Sequence, residues 1–123
     1  MPTKNDLFIL HDSVLFKLIN LIRGAHKIVI CAHRSPDGDA LGASLGLAGY
    51  LRRLGKSTAI IMPNPFPDFL KWLPGSNNVS FFDDNIHLAN SKIKQADLIF
   101  MLDFSSLDRI KEMGSAVCES KAT

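Results

Sequence analysis

The chain has 123 residues, 46% of them hydrophobic, and a formal net charge of +2. That suffices for one folded domain with its own core, which excludes a disordered segment and a scaffold dependent on disulfides. Lys and Arg are scattered among Asp and Glu, so no dense basic face is available for long duplex nucleic acid, whereas a small anionic substrate is compatible with this balance.

Met1 to Leu10 lacks the features of a secretion signal, and the apolar runs Ile28 to Ala32 and Leu98 to Leu102 are far shorter than the ~20 residues of a membrane-spanning helix. Cys31 sits in an apolar run and Cys118 in a polar tail, without paired spacing, which reads as reduced thiols and a cytoplasmic protein.

Val14, Leu15, Leu18, Ile19 and Ile22 recur at helical spacing between a capping Ser13 and Gly24 and predict an amphipathic helix. Lys27 to Ala32 (KIVICA) is short, β-branched and continuously apolar, as expected of a strand covered on both faces. His33 stands at its end, followed by the turn Arg34-Ser35-Pro36-Asp37-Gly38-Asp39, with Gly38 expected to let the chain bend. Ala40 to Leu54 then predicts a buried helix ending at Gly55. Gly42, Gly46 and Gly49 lie along it, and glycine's cost of about 1 kcal/mol in a helix suggests a close approach to neighbouring backbone.

Ser57 to Met62 predicts a second strand, Pro63 to Gly75 a proline-rich connection with a helical turn at Phe69 to Leu73, and Asn78 to Phe82 a third strand. Ile86 to Gln95 predicts a helix, Ala96 to Asp103 an apolar strand ending in an acid, and Leu107 to Met113 a further helix. This alternation predicts an α/β fold, a Rossmann-like, mostly parallel sheet with flanking helices. Ligands of such sheets bind outside the carboxyl ends of the strands. His33, Asp37, Asp39 and Asp103 all fall on that edge.

Carboxylates are hard oxygen ligands and imidazole a borderline nitrogen ligand, a mixture suited to Mn²⁺, with Mg²⁺ and Zn²⁺ less favoured. Three acids gathered without a cation would repel one another. The plainer alternative makes Asp37-Gly38-Asp39 an ordinary turn in which Asp39, and later Asp103, cap helices. Arg52, Arg53 and Lys56 at a helix end read as structural cations, and His11, His26 and His87 as surface or cap residues. Phe66, Phe69 and Trp72 offer a stacking platform in principle, but their setting between prolines fits a packed connection better.

The run His33-Arg34-Ser35-Pro36-Asp37-Gly38-Asp39-Ala40-Leu41-Gly42 resembles the first motif of the DHH phosphoesterases, and Asp103-Phe104-Ser105-Ser106-Leu107-Asp108-Arg109-Ile110 resembles the second. Phe69 to Gly75 is more weakly similar to a connection between them. Ala43 departs from the pattern, where a Ser often follows the glycine; Ser44 is adjacent. The nearest branch contains hydrolases of small oligoribonucleotides and phosphatases of phosphoadenosine phosphate.

The resemblance implies that His33, Asp37 and Asp103 bind one Mn²⁺ while Asp39 and Asp103 bind a second. Arg34, inside the turn, is placed to meet a substrate phosphate but reads better as a solvent-facing spacer, and Arg109 is similar to the motif arginine, with orienting the loop and touching phosphate as its two open roles. It implies hydrolysis of short single-stranded RNA or DNA, or of a nucleotide bisphosphate, by water activated between two metals; a homodimer is compatible with this reading. The family's Asp-His-His triplet and C-terminal substrate domain are not found in residues 1–123, so the chain is expected to be the N-terminal portion of a catalytic domain, with no complete catalytic set of its own. Two other readings stand beside it. One is a truncated domain that folds, associates through an unfinished sheet edge and hydrolyses nothing. The other is a phosphatase with an Asp nucleophile in Asp37-Gly38-Asp39, disfavoured because four residues separate Asp37 from the strand.

Overall fold

The computed structural model describes residues 12–103, 110 and 112–123. Its framework is a four-stranded sheet of β1 (Lys27–Ala32), β2 (Ser57–Met62), β3 (Ser80–Phe81) and β4 (Leu98–Leu102), in the order β3-β2-β1-β4 with every pairing parallel. The central strand β1 places Ile30 between Ile60 and Phe100.

A continuously apolar strand serves two cores because alternate side chains leave opposite faces. Ile28, Ile30 and Ala32 join Ile60 and Met62 in one core, roofed by Ala40, Leu41, Ala48 and Leu51 of α2 (Gly38–Arg53). Val29 and Cys31 join Ile61 in the other, against Ala89 and Ile93 of α3 (Ile86–Gln95) and Met113 of α4 (Met113–Glu119). Each fully buried Ile or Leu contributes on the order of 1.5–3 kcal/mol relative to exposure. The three-layer α/β arrangement expected from the alternating pattern is therefore present.

Helix α1 (Asp12–Gly24) has no buried residue. Only Leu21 and Ile22 lean on the α2-side core, while Val14, Leu15 and Phe16 are exposed. Ser13 lies inside the helix, not at its cap. Lys56 explains part of how α1 ends: its Nζ donates to the carbonyls of Arg23 and Ala25 at 3.1 and 2.8 Å. Arg52 likewise donates to the carbonyl of Thr58. These two cations are structural, as their position beside helix ends suggested.

The predicted stop of α2 is a Schellman motif: Gly55, at φ +81°, donates to Arg52 O and Lys56 donates to Leu51 O. Its glycines behave differently from expectation. A Cβ at Gly42, Gly46 or Gly49 would meet nothing within 4 Å, so no neighbouring backbone requires them. The buried positions Ala40, Leu41, Ser44, Ala48 and Leu51 share one stripe, and the glycines occupy the exposed remainder.

Between β2 and β3 the turn is a 3₁₀ segment at Asp68–Leu70, and a second at Ser76–Asn78 shortens β3 to two residues. The tail containing Cys118 is helix α4, because Met113 and Gly114 bury against the α3 layer. The helix expected at Leu107 to Met113 falls largely outside the described residues. Thr123 donates to Asp97 O and accepts from Ile99 N, the hydrogen-bond pattern of a parallel bridge on the outer edge of β4.

Candidate metal centre

The chemistry gathers where β1 and β4 end side by side. His33, the first residue beyond β1, is 7% exposed. Its Nδ1 lies 2.9 Å from the carbonyl of Arg34. A carbonyl only accepts, so that nitrogen carries a proton and Nε2 is the ring atom turned toward the acids. Nε2 faces Asp103 Oδ2 at 3.3 Å and Asp37 Oδ1 at 3.8 Å. One ligand atom from each of the three residues lies within 4.8 Å of the other two. Fixing imidazole through its second nitrogen is how metal-ligating histidines are oriented.

Both acids are held by local backbone structure. Asp37 is the N-cap of α2, and its Oδ1 accepts the amide of Ala40 at 2.9 Å. The plain helix-cap reading and the ligand reading are thus compatible, with Asp37 in the capping role rather than Asp39. Asp103 adopts φ +61°, a left-handed conformation that Asp tolerates better than most residues. This turns the chain at the end of β4, beside His33.

The turn from His33 to Asp37 also bends at a left-handed residue, Ser35 at φ +55°, whose amide donates to Asn64 Oδ1 at 2.5 Å. Pro36 is fully buried beneath it. Gly38, expected to supply the bend, is instead the first residue of α2, and a Cβ there would make an ordinary contact with Leu70 at 3.9 Å. Asn64 and Asp83 were missed from the sequence. Arg34 Nη2 donates to Asp83 Oδ2 at 2.6 Å, so the guanidinium is anchored to the turn after β3. Asn64 sits between two prolines and Asp83 just after an apolar pair, and neither setting signals a link to the turn.

Asp39 lies exposed in the first turn of α2, outside the group formed by His33, Asp37 and Asp103. Arg109 and His11 lie outside the described residues, as does any helix capped by Asp103. Phe66 is buried and meets Phe81 edge to face, with centroids 5.6 Å apart. Phe69 and Trp72 are 74% and 75% exposed, contrary to the expectation of a packed connection, because Leu70 alone turns inward at the 3₁₀ segment. No described helix is long and apolar enough to cross a membrane.

An imidazole and two carboxylates converging at the carboxyl edge of a parallel α/β sheet make a candidate site for a hard cation. The model of the DHH family, N-terminal domain, matches residues 27–122, and the chain belongs to that family. It is 47% identical over 53 residues to the "Bifunctional oligoribonuclease and PAP phosphatase NrnA" of Thermus thermophilus, an alignment covering 43% of this chain and 16% of that protein. It is also similar to the crystal structure of an exopolyphosphatase-related protein from Bacteroides fragilis, with a TM-score of 0.92 and 41% identity over 98% of this chain and 34% of that one. The chain therefore spans well under half the length of either relative.

Proposed function

We propose that this chain is the N-terminal portion of the catalytic domain of a metal-dependent phosphoesterase that acts on short oligonucleotides or nucleotide bisphosphates. The observation that carries the reading is the convergence of His33 Nε2, Asp37 Oδ1 and Asp103 Oδ2. Three electron-pair donors face one gap, and their mutual repulsion is relieved by a cation seated among them. The imidazole and carboxylate set fits Mn²⁺, and Mg²⁺ less well.

Bound cations supply neutralisation of phosphoryl charge and a more acidic water. The chain's own part is orientation. The Arg34 carbonyl holds His33 in one tautomer, the Ala40 amide holds Asp37, and the left-handed backbone of Asp103 sets the third ligand. Asp39, two residues beyond Asp37, is the proposed ligand of a second ion with Asp103 bridging. Arg34, anchored by Asp83, and Arg109 are proposed to meet substrate phosphate. The remaining groups are proposed to come from an Asp-His-His segment and a substrate domain of the kind the family carries. The relative named as an oligoribonuclease and PAP phosphatase supports the substrate class.

Calorimetric titration with Mn²⁺ tests the reading. Binding is expected in the wild-type chain and lost in Asp37→Asn and Asp103→Asn, with stoichiometry reduced by Asp39→Asn if two ions bind. Complete protein assayed with Mn²⁺ on short RNA and on phosphoadenosine phosphate tests the substrate. No Mn²⁺ binding that depends on Asp37 and Asp103 would overturn the proposal in favour of a non-catalytic domain, and a trapped phosphoaspartate would favour the nucleophile chemistry.

A further inference from the structure

A cavity of about 470 Å³ lies not at the metal centre but in the connection from β2 to β3. Its volume lies within the range of ordinary small-molecule sites. Phe66, Phe81 and Val79 form an apolar floor, and Lys71, Ser76 and Asn77 contribute to a polar rim. We propose that this hollow is a nucleobase subsite of the same active site, holding the base of the nucleotide that adjoins the one at the metal centre. The inference rests on the phosphoesterase reading and specifies where its substrate is recognised.

The chemistry of the lining selects the occupant. Two phenyl rings in edge-to-face contact make a floor for a flat aromatic ring. The rim is not a phosphate site, because Lys71 Nζ is already paired with Asp68 Oδ1 at 2.9 Å. Ser76 Oγ is also committed, donating to the carbonyl of Lys71 at 2.8 Å. Asn77 is exposed, and its carboxamide offers a donor and an acceptor side by side, the pairing that reads the edge of adenine.

Position relates the hollow to the metal turn. β3 lies two strands from β1, roughly 10 Å at ordinary strand spacing, and Phe81 in the floor of the hollow pairs with Met62, the last residue of β2. The wall of the hollow begins at Pro65, the residue after Asn64, which accepts the amide of Ser35 in the metal turn. Leu70, between rim residues Asp68 and Lys71, faces Gly38, the residue after Asp37. A dinucleotide spans such a separation; the sugar and phosphate of the reacting nucleotide alone do not. The arrangement therefore favours oligomers over mononucleotides.

The test is amide NMR of the ¹⁵N-labelled chain titrated with adenosine, which carries no phosphate, and with ribose 5-phosphate, which carries no base. Adenosine is expected to shift the amides of Asn77, Val79 and Ser80, and ribose 5-phosphate to leave them in place. Asn77→Ala, an exposed position, is expected to weaken adenosine binding at least ~10-fold without unfolding the chain. Phe81→Leu, which keeps the floor apolar but removes a ring, should weaken it as well. Adenosine shifts elsewhere, or an affinity unchanged in both variants, would overturn the subsite. Mn²⁺ titration of the same samples separates the two readings. Mn²⁺ binding without adenosine binding sinks the subsite alone, whereas adenosine binding at the hollow without Mn²⁺ binding sustains the base site and sinks the phosphoesterase reading.

Discussion

His33 Nε2 lies 3.3 Å from Asp103 Oδ2, with the His33 ring locked from behind by its Nδ1 contact to the Arg34 carbonyl. Two electron-pair donors so placed are stable together only with a proton or a metal between them. His33→Ala and Asp103→Asn are each expected to lower Mn²⁺ affinity by at least ~100-fold, measured by calorimetry, because loss of a direct ligand exceeds the 10–100-fold effect of losing an outer partner.

Asp37 combines a helix cap with a proposed ligand, and substitution separates the roles. Asp37→Ser keeps a side-chain oxygen for the Ala40 amide and should leave stability within a few tenths of a kcal/mol, yet lose Mn²⁺ binding. Asp37→Ala loses both, at a cost of about 1 kcal/mol in urea denaturation. Full Mn²⁺ affinity in Asp37→Ser would leave Asp37 with a cap role alone.

Asp97 Oδ2 accepts the amides of Lys27 and His26, each at 2.9 Å, tying the start of β1 to β4. These hydrogen bonds, from Lys27 first and then His26, hold the carboxyl below its ordinary range. A depressed acid stabilises the fold above its unfolded-state pKa of about 3.9 and loses that contribution as pH falls through the folded value. Asp97→Asn should therefore lower the urea midpoint at neutral pH, and the gap from wild type should close only in acid below about pH 4.

The two thiols should respond differently to alkylation. Burial pushes Cys31 up to about 12, whereas Cys118 is exposed on α4. Iodoacetamide at about pH 8 is expected to add one group to the native chain, at Cys118, and a second only after denaturation, as read by mass spectrometry.

The exposed glycines of α2 should be replaceable with profit to stability. Gly42→Ala, Gly46→Ala and Gly49→Ala each place a methyl in open space and remove a helix-interior glycine. Each should add up to about 1 kcal/mol and raise the melting temperature by a few degrees. A loss of stability would show that this face is packed in solution.

Much of the architecture was legible from local patterns. KIVICA and STAIIM match β1 and β2 at both ends, and Ile86–Gln95 matches α3, because short β-branched runs, helical periodicity and a Gly55 stop are properties of neighbouring residues. The first motif likewise singled out His33 and Asp37 as candidates, and the structure brings them into one group. The grouping of His33, Asp37 and Asp103 followed from the two motifs, but not the contacts that produce it. Asp103 reaches His33 only because β1 and β4 pair in parallel with their ends together, while Asp39, adjacent to the motif, is carried outward by the first turn of α2.

Long-range packing also decided the other revisions. Ser35 takes the left-handed turn because Asn64, from the next crossover, receives its amide, so the bend attributed to Gly38 depends on a residue far along the chain. Phe66 is buried and Trp72 exposed within one aromatic segment because only the first faces Phe81. Sequence by itself determined the strands, most helices and the candidate ligand side chains. Tertiary structure decided which of them share a gap, since that depends on sheet order, register and the layer each face meets.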